Sequence, residues 1–446
     1  MTSGDRQKSR IDRRIGWATF GLLALLSTGL HLYFLTRPGF EDDLRWQIHW
    51  GKRVSQEGLW KLYEGDYATR TGKFNHHDIV DYPPLVPLIL GEIVRLAKTT
   101  HQAANIQFLI KFLVTVFEIL LLVTLWWLII TQSSAPPWWR IFMAGVVLLS
   151  PGLALATSGW GQIDSLFCLF VVLGLYLGWK DRFWPSTLLI LAAVLTKPQG
   201  VIALGCYFLM LLWRRRYRAF WIQGACGFVL FFSLIIAFRA FSHSDFLLIY
   251  LGAVGAFPAS SWTAFNLWEL IFGDESLHVP DSEKLAGLSY HCLGLAIYLF
   301  SVLCALLAFW KSKRSFENLM LFAGWTYLAF FLFPTEMHGR FLYYGAVLLA
   351  VPAARKKTLT GAYLVLSVIL YLNVRFSMDR FAPGMYAEFV MPESTSNLHR
   401  VLSLFAFAAS AVFFAEILRW LVPPRLVEIP QADPPAFDKF LDGSRT

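Results

Sequence analysis

Hydrophobic positions in this chain gather into long, nearly unbroken runs rather than the 3.6- or 2-residue periods of a water-soluble core. Twelve runs stand out. The first seven are Ile15–Leu35, Asn105–Ile130, Ile141–Thr157, Ser165–Trp179, Ser186–Leu195, Val201–Trp213 and Phe220–Ala240. The others are Lys284–Trp310, Phe316–Phe333, Leu342–Ala353, Leu359–Val374 and Val401–Val422. Many approach the roughly 20 residues that cross a bilayer. Several are shorter, so the pattern predicts about 12 spans, with a range of about 10 to 13. Between the first two runs lies a polar stretch, residues 38–104, in which Leu44–Trp60 and Leu85–Leu96 are amphipathic and read as interfacial helices on the outer membrane surface. The predicted fold is all-α: one polytopic transmembrane helical bundle over residues 1–422, then a loosely ordered cytoplasmic tail over 423–446. The first run is too long for a signal-peptide core and is expected to stay as a helix.

Composition narrows the class. Of 446 residues 56% are hydrophobic and only 15% charged, against roughly 25% charged in a soluble domain. A soluble enzyme, a disulfide scaffold and a disordered chain are excluded. The net charge of +9 comes from 39 Lys+Arg against 30 Asp+Glu. These basic residues sit in short clusters: Arg6 to Arg14, Arg140, Lys180 with Arg182, Arg214 to Arg218, Lys311 to Arg314, and Arg355 to Lys357. If the inside end alternates, every cluster falls on one side, which the positive-inside rule makes cytoplasmic along with both termini. No basic face tracks a phosphate backbone, so nucleic acid is not an expected partner. The cysteines Cys168, Cys206, Cys226, Cys292 and Cys304 lie in or beside apolar runs without metal spacing.

The same threading collects the remaining polar motifs at the opposite, outer side. They are Glu41-Asp42-Asp43, Asp81-Tyr82-Pro83-Pro84, Trp160-Gly161-Gln162-Ile163-Asp164, Lys197-Pro198-Gln199, Asn266-Leu267-Trp268 and Glu336-Met337-His338-Gly339-Arg340. Each has a plain structural reading. Asp42 or Asp43 would cap a helix starting near Leu44, Asp164 would cap another, Lys197 would snorkel to headgroups, and the 336–340 turn would be salt-bridged. Each also has a chemical one. Asp43 or Asp42 would be a carboxylate that takes a proton from an attacking hydroxyl. Lys197, His338 and Arg340 would be cations for a phosphate, with Arg340 matching its geometry. Polar residues near membrane depth usually face a cavity. The His76-His77-Asp78 and Asp81 group has ligand types for a divalent metal but fits no ligand template, so no metal site is assigned.

Taken in order, these motifs resemble those of the GT-C superfamily of integral-membrane glycosyltransferases, most of all the polyprenyl-phosphate-sugar-dependent glucosyl- and mannosyltransferases. The series runs from the acidic motif after the first span, through Tyr82-Pro83-Pro84-Leu85, Gly161-Gln162-Ile163-Asp164-Ser165 and Lys197-Pro198-Gln199, to Asn266-Leu267-Trp268 and His338-x-Arg340. The resemblance implies that the first-loop acid is the catalytic base. Asp43, followed by His49-Trp50, matches better than Asp42. The late turn commonly reads His-Glu-Arg in that family. Gly339 replaces the glutamate here, so that carboxylate is absent or its role passes to Glu336.

The expected activity is an inverting hexosyl transfer, of mannose or glucose type, from a polyprenyl-phosphate sugar to an acceptor hydroxyl. Asp43 would deprotonate the acceptor, and Lys197, His338 and Arg340 would stabilise the departing phosphate. Tyr82, Trp160, Gln162, Asp164, Gln199, Asn266 and Trp268 would line the substrate site, the aromatic rings stacking on sugars. No cofactor or metal is expected. The partners are membrane lipids, the lipid-linked donor, and a glycan, lipid or protein acceptor. The expected location is a bacterial inner membrane with the site facing the periplasm. Two other classes fit the same motifs: a transporter or flippase for a lipid-linked sugar, and a non-catalytic membrane subunit with a degenerate site.

Overall fold

The computed structural model describes residues 3–64, 80, 82–100, 105–244, 246–252, 255, 257–381 and 396–422. The His76-His77-Asp78 and Asp81 group and the 423–446 tail lie outside the described residues. The described chain is a helical bundle. In order the helices are α1 Ser3–Leu35, α2 Glu41–Glu57, α3 Leu59–Leu62, α4 Leu85–Thr99, α5 Ile106–Gln132, α6 Pro137–Leu148, α7 Pro151–Ala154, α8 Asp164–Trp179 and α9 Phe183–Val194. There follow α10 Gly200–Trp213, α11 Tyr217–Phe241, α12 Leu247–Leu251, α13 Leu267–Phe272, α14 Tyr290–Lys311, α15 Phe316–Leu332, α16 Leu342–Ala353, α17 Lys357–Phe381 and α18 Ser396–Leu418. Among the described residues seven helical segments are long and apolar enough to cross a membrane, and five shorter apolar helices join them. The sum, twelve, matches the twelve runs of the sequence.

Long and short helices do different work. On α11 large apolar side chains such as Phe228, Val229 and Phe232 are exposed, as a lipid-facing surface requires. The short α15 and α16 pack along each other and bury nearly all of their residues. A short helix in the middle of a bundle ends against protein rather than lipid. Polar groups at its ends can therefore be buried if the surrounding protein satisfies them. The fold uses this four times: Asp164 opens α8, Lys197 stands between α9 and α10, Gln199 precedes α10, and Arg340 precedes α16.

The two ends of the bundle differ in character. Arg214 and Arg216 pair with Asp181, Arg314 donates to the Trp213 carbonyl, and Arg355 donates to Asn318. The basic loops thus meet at one end. The helices α8, α10 and α16 run from the polar motifs to these loops, so the motifs share the opposite end. A second layer covers that end. Helices α2 and α4 bury Leu44, Trp50 and Val54 against Val86, Leu90 and Val94, and pack on Ile163, Leu166 and the start of α5.

Four local expectations change. Helix α2 begins at Glu41 with Phe40 as the residue before it, so Asp42 and Asp43 occupy its first turn and neither caps it. There their negative charge complements the helix dipole. The Ile141–Thr157 run is not one helix: Pro151 lacks an N–H and restarts it, and a π-helical turn, Leu155–Gly159, follows. The run from Lys284 starts as a hairpin, Lys284–Leu285 against Leu288–Ser289, because Ala286 and Gly287 both adopt positive φ; the helix begins at Tyr290. Asp164 is the first residue of α8 rather than its cap, and its side chain turns to other partners.

Candidate active site

The path to the site starts at the end of α1. The Lys111 ammonium donates to the carbonyls of Phe34 and Leu35, at 3.0 and 3.2 Å, and to that of Arg37, closing the helix C-terminus. The chain then passes Phe40, whose N–H donates to the Trp160 carbonyl at 3.1 Å and whose ring lies 4.4 Å from that of Trp160. From there α2 sends Leu44, Gln47 and Trp50 inward. Asp43 lies on the inward side while Asp42 is exposed, which distinguishes the two candidate acids.

Three donors converge on one oxygen of Asp43. The Trp160 indole N–H reaches Oδ2 at 2.6 Å, the Gln162 amide donates to the same atom, and Arg340 Nη1 lies 3.3 Å away. Among the described residues Oδ1 accepts no hydrogen bond. The Asp43 side chain keeps 24% of its exposure against 12% for Arg340, so this carboxylate is held by the protein yet open on one side. The segment that supplies Trp160 and Gln162 turns at Gly161, where φ is +94° and a Cβ would stand 2.8 Å from Leu44 Cδ2. Only glycine fits that turn under α2.

Beside this carboxylate lies a second, fully buried pair. Lys197 Nζ donates to Asp164 Oδ1, the Tyr344 hydroxyl donates to the same oxygen at 2.8 Å, and Lys197 is 3.3 Å from that hydroxyl. Tyr82 links the two groups. Its hydroxyl donates to Gln162 Oε1 at 2.9 Å, and the Lys197 ammonium lies 5.3 Å from the centre of its ring. Arg340 sits 5.3 Å from the Trp160 ring centre and 5.7 Å from that of Phe341. Burial pulls Lys197 below its ordinary pKa, and Asp164 opposes that shift.

His338 stands at the same turn, enclosed by aromatic rings: Phe257 at 4.8 Å, Trp262 at 5.8 Å and Phe341 at 5.3 Å between centres. Burial, with Arg340 and Lys197 nearby, holds the imidazole well below its usual pKa. At neutral pH it is a neutral hydrogen-bonding group, not the cation its position suggested. At Gly339 a Cβ would meet Asn373 Nδ2 at 2.5 Å and Ser377 Oγ at 2.7 Å. There is no room for a glutamate in this turn. Nor does Glu336 replace one: its carboxylate accepts from the backbone N–H groups of Gly255 and Phe257 instead.

The structure therefore brings together Asp43, Tyr82, Trp160, Gln162, Asp164, Lys197 and Arg340, with His338 alongside. Gln199 joins through α10; its carbonyl accepts from the Tyr327 hydroxyl, and its buried Oε1 has no protein partner. Asn266 and Trp268 are placed differently. Asn266 caps α13 through the N–H groups of Trp268 and Glu269, and Trp268, 1% exposed, donates to the Phe333 carbonyl. A ring so enclosed has no face free for a sugar. Tyr344 is the residue that sequence reasoning missed. It lies in the first turn of α16, four positions after Arg340.

Among the described residues Asp164 Oδ2 and Arg340 Nε in this cluster, and Gln199 Oε1 at the start of α10, are buried without a hydrogen-bond partner. Orphaned buried groups are costly and uncommon. Carboxylate, cations and aromatic rings together suit group transfer to a hydroxyl with an anionic leaving group.

Comparison with known proteins agrees. The family model of glycosyltransferase family 87 matches residues 104–335. No curated protein matches the chain. The matched region contains Trp160, Gln162, Asp164, Lys197 and Gln199, to which the fold adds Asp43, Tyr82, His338 and Arg340 from either side. The chain belongs to glycosyltransferase family 87, a GT-C-type family of membrane glycosyltransferases, and is an integral-membrane glycosyltransferase.

Proposed function

We propose that the protein transfers a hexose, of mannose or glucose type, from a polyprenyl-phosphate sugar to an acceptor hydroxyl, with inversion at the anomeric carbon. The observation that carries this reading is the pairing of a partly open carboxylate, Asp43, with Arg340 beside the buried Lys197–Asp164 pair. The acceptor oxygen attacks the anomeric carbon, its proton passes to Asp43 Oδ1, and the bond from that carbon to the phosphate oxygen breaks. The electron pair leaves with the polyprenyl phosphate, whose extra negative charge Lys197 and Arg340 stabilise. A leaving group already so acidic needs little protonation, and no divalent ion takes part in this step. One displacement on the face opposite the phosphate gives inversion.

Trp160, Gln162 and Arg340 hold Asp43 Oδ2 and so aim its other oxygen. Neutral His338 donates or accepts a hydrogen bond at the sugar or phosphate. Burial of the donor site beside lipid-facing helices suits a substrate whose chain stays in the membrane. In this reading the site opens to the periplasm of a bacterial inner membrane, opposite the basic loops.

The hydrogen bonding of the internal Lys111 favours catalysis over transport. Lys111 is consumed by three carbonyls, and Glu118 accepts from the Tyr343 hydroxyl. Lys111 therefore presents no free charge along a path through the bundle. The test is transfer by the purified chain in lipid nanodiscs, with polyprenyl-phosphate [14C]mannose, its glucose analogue and the matching nucleotide sugars as donors. The proposal expects a new glycosidic product from a lipid-phosphate donor alone. Product from a nucleotide sugar in the absence of lipid donor would overturn it.

A further inference from the structure

A second constellation lies outside the catalytic cluster, where three outer segments meet. Asp281 follows the 3₁₀ turn Gly273–Leu277, His291 lies in the first turn of α14, and Thr335 and Glu336 follow α15. Asp281 Oδ2, His291 Nδ1 and Glu336 Oε1 all fall within 4.8 Å of one another. The imidazole nitrogen is 3.4 Å from the Asp281 oxygen and 3.6 Å from the Glu336 oxygen. Thr335 Oγ1 lies 3.2 Å from that nitrogen and 3.3 Å from Asp281 Oδ2.

These spacings have a simple geometric meaning. Ligands at right angles around an ion with bonds of about 2.2 to 2.4 Å are separated by about 3.1 to 3.4 Å, and opposed ligands by about 4.4 to 4.8 Å. Three of the contacts match adjacent ligands, a fourth is slightly wide, and the carboxylate pair fits within the opposed distance.

Charge makes the same point independently. Asp281 and Glu336 are both 7% exposed. Among the described residues neither carboxylate has a Lys or Arg within 4.0 Å, and His291 is the sole basic neighbour at that range. Buried carboxylates are normally paired or bound to metal. The backbone bonds from Gly255 and Phe257 use one lone pair on each Glu336 oxygen and leave others free. Glu336 also holds a left-handed conformation, φ +63°.

We propose that Asp281, His291 and Glu336, with the Thr335 hydroxyl, form a structural site for one divalent ion that ties the three outer segments together. One imidazole with two carboxylates and a hydroxyl at right-angle spacing suits an octahedral ion such as Mn2+ better than tetrahedral Zn2+. The site is separate from the chemical step. It fixes the segment that, two residues after Glu336, presents His338.

The test uses the full chain in detergent, stripped with EDTA and titrated with MnCl2 or ZnCl2. The expected result is one ion per chain, a higher Tm, and for Mn2+ a spin-echo signal from a coordinated imidazole nitrogen. Asp281→Asn and His291→Gln should each weaken binding by about tenfold or more. Glu64→Gln, an exposed acid elsewhere, should bind as the parent does. His291 is partly exposed, so its variant remains readable if Asp281→Asn folds poorly. Substoichiometric binding by the parent chain, equal binding by His291→Gln, or bound Mn2+ without the nitrogen signal would each overturn the site.

Discussion

The Lys197–Asp164 pair allows structural and chemical roles to be separated in one experiment. Lys197 and Asp164 have side-chain exposures of 3% and 0%, so solvent screens neither charge. Lys197→Met leaves a buried carboxylate supported only by the Tyr344 hydroxyl, and Asp164→Asn leaves a buried ammonium without its counter-charge. Removing one partner of such a pair costs about 3 to 5 kcal/mol, mostly because the other charge stays buried alone. The double variant replaces both charges with neutral groups, and Tyr344 can still donate to the Asn oxygen. It should recover about 2 kcal/mol or more relative to the sum of the singles, a coupling well above the few tenths expected for independent sites. Unfolding in mixed micelles, followed by tryptophan fluorescence, measures the cycle. Transfer assayed on the same samples should stay low in the double variant despite restored stability, because the phosphate has lost its ammonium. Additive stability losses would refute the buried-pair argument. Near-parental donor use by the stable double variant would refute the phosphate role of Lys197.

Two further outcomes follow from the turn at 338–340. Gly339→Ala should lower donor use and stability together, since its Cβ would press on Asn373 and Ser377; overpacking of this kind costs about 1 to 3 kcal/mol, and unchanged Tm with unchanged KM for donor would contradict it. His338 has a folded-state pKa below its unfolded value, so the unfolded chain binds the extra proton, and stability falls as pH drops below about 6.5. His338→Asn should remove up to about 1.4 kcal/mol per pH unit of that slope between pH 5 and 6.5; an identical slope in both proteins would show that His338 is charged when folded.

The helices were largely legible because bilayer-spanning segments carry their signal in composition, and all twelve apolar runs are mainly helical among the described residues. Boundaries failed where a backbone rule competed with that signal. Pro151 interrupted one run, and Ala286-Gly287 folded the start of another into a hairpin. The acidic, Lys-Pro-Gln and His-Gly-Arg motifs were legible as candidates since charge beside an apolar run is costly without a purpose. Their mutual contacts were not: Asp43 and Arg340 are 297 positions apart, and no local pattern predicts that bond. Tyr344 was hidden because a tyrosine in an apolar run looks like packing. Asn266 and Trp268 misled for the opposite reason, as a capping Asn and a buried Trp look like a ligand set. The Asp281, His291 and Glu336 group stayed invisible because its members come from three segments without motif spacing.

The central claim is that Asp43 takes the acceptor proton while its neighbours hold it in place. The most direct measurement is the single-turnover rate of sugar transfer by Asp43→Asn in nanodiscs, with labelled lipid-phosphate sugar and excess acceptor. The amide keeps the shape and can still accept from Trp160 and Gln162, so insertion and donor binding should stay near parental values, while Tm falls modestly because Arg340 loses its counter-charge. A general base contributes about 10²- to 10⁴-fold, so the rate should fall by at least about a hundredfold. A variant that binds donor normally and transfers within about tenfold of the parent would contradict the assignment.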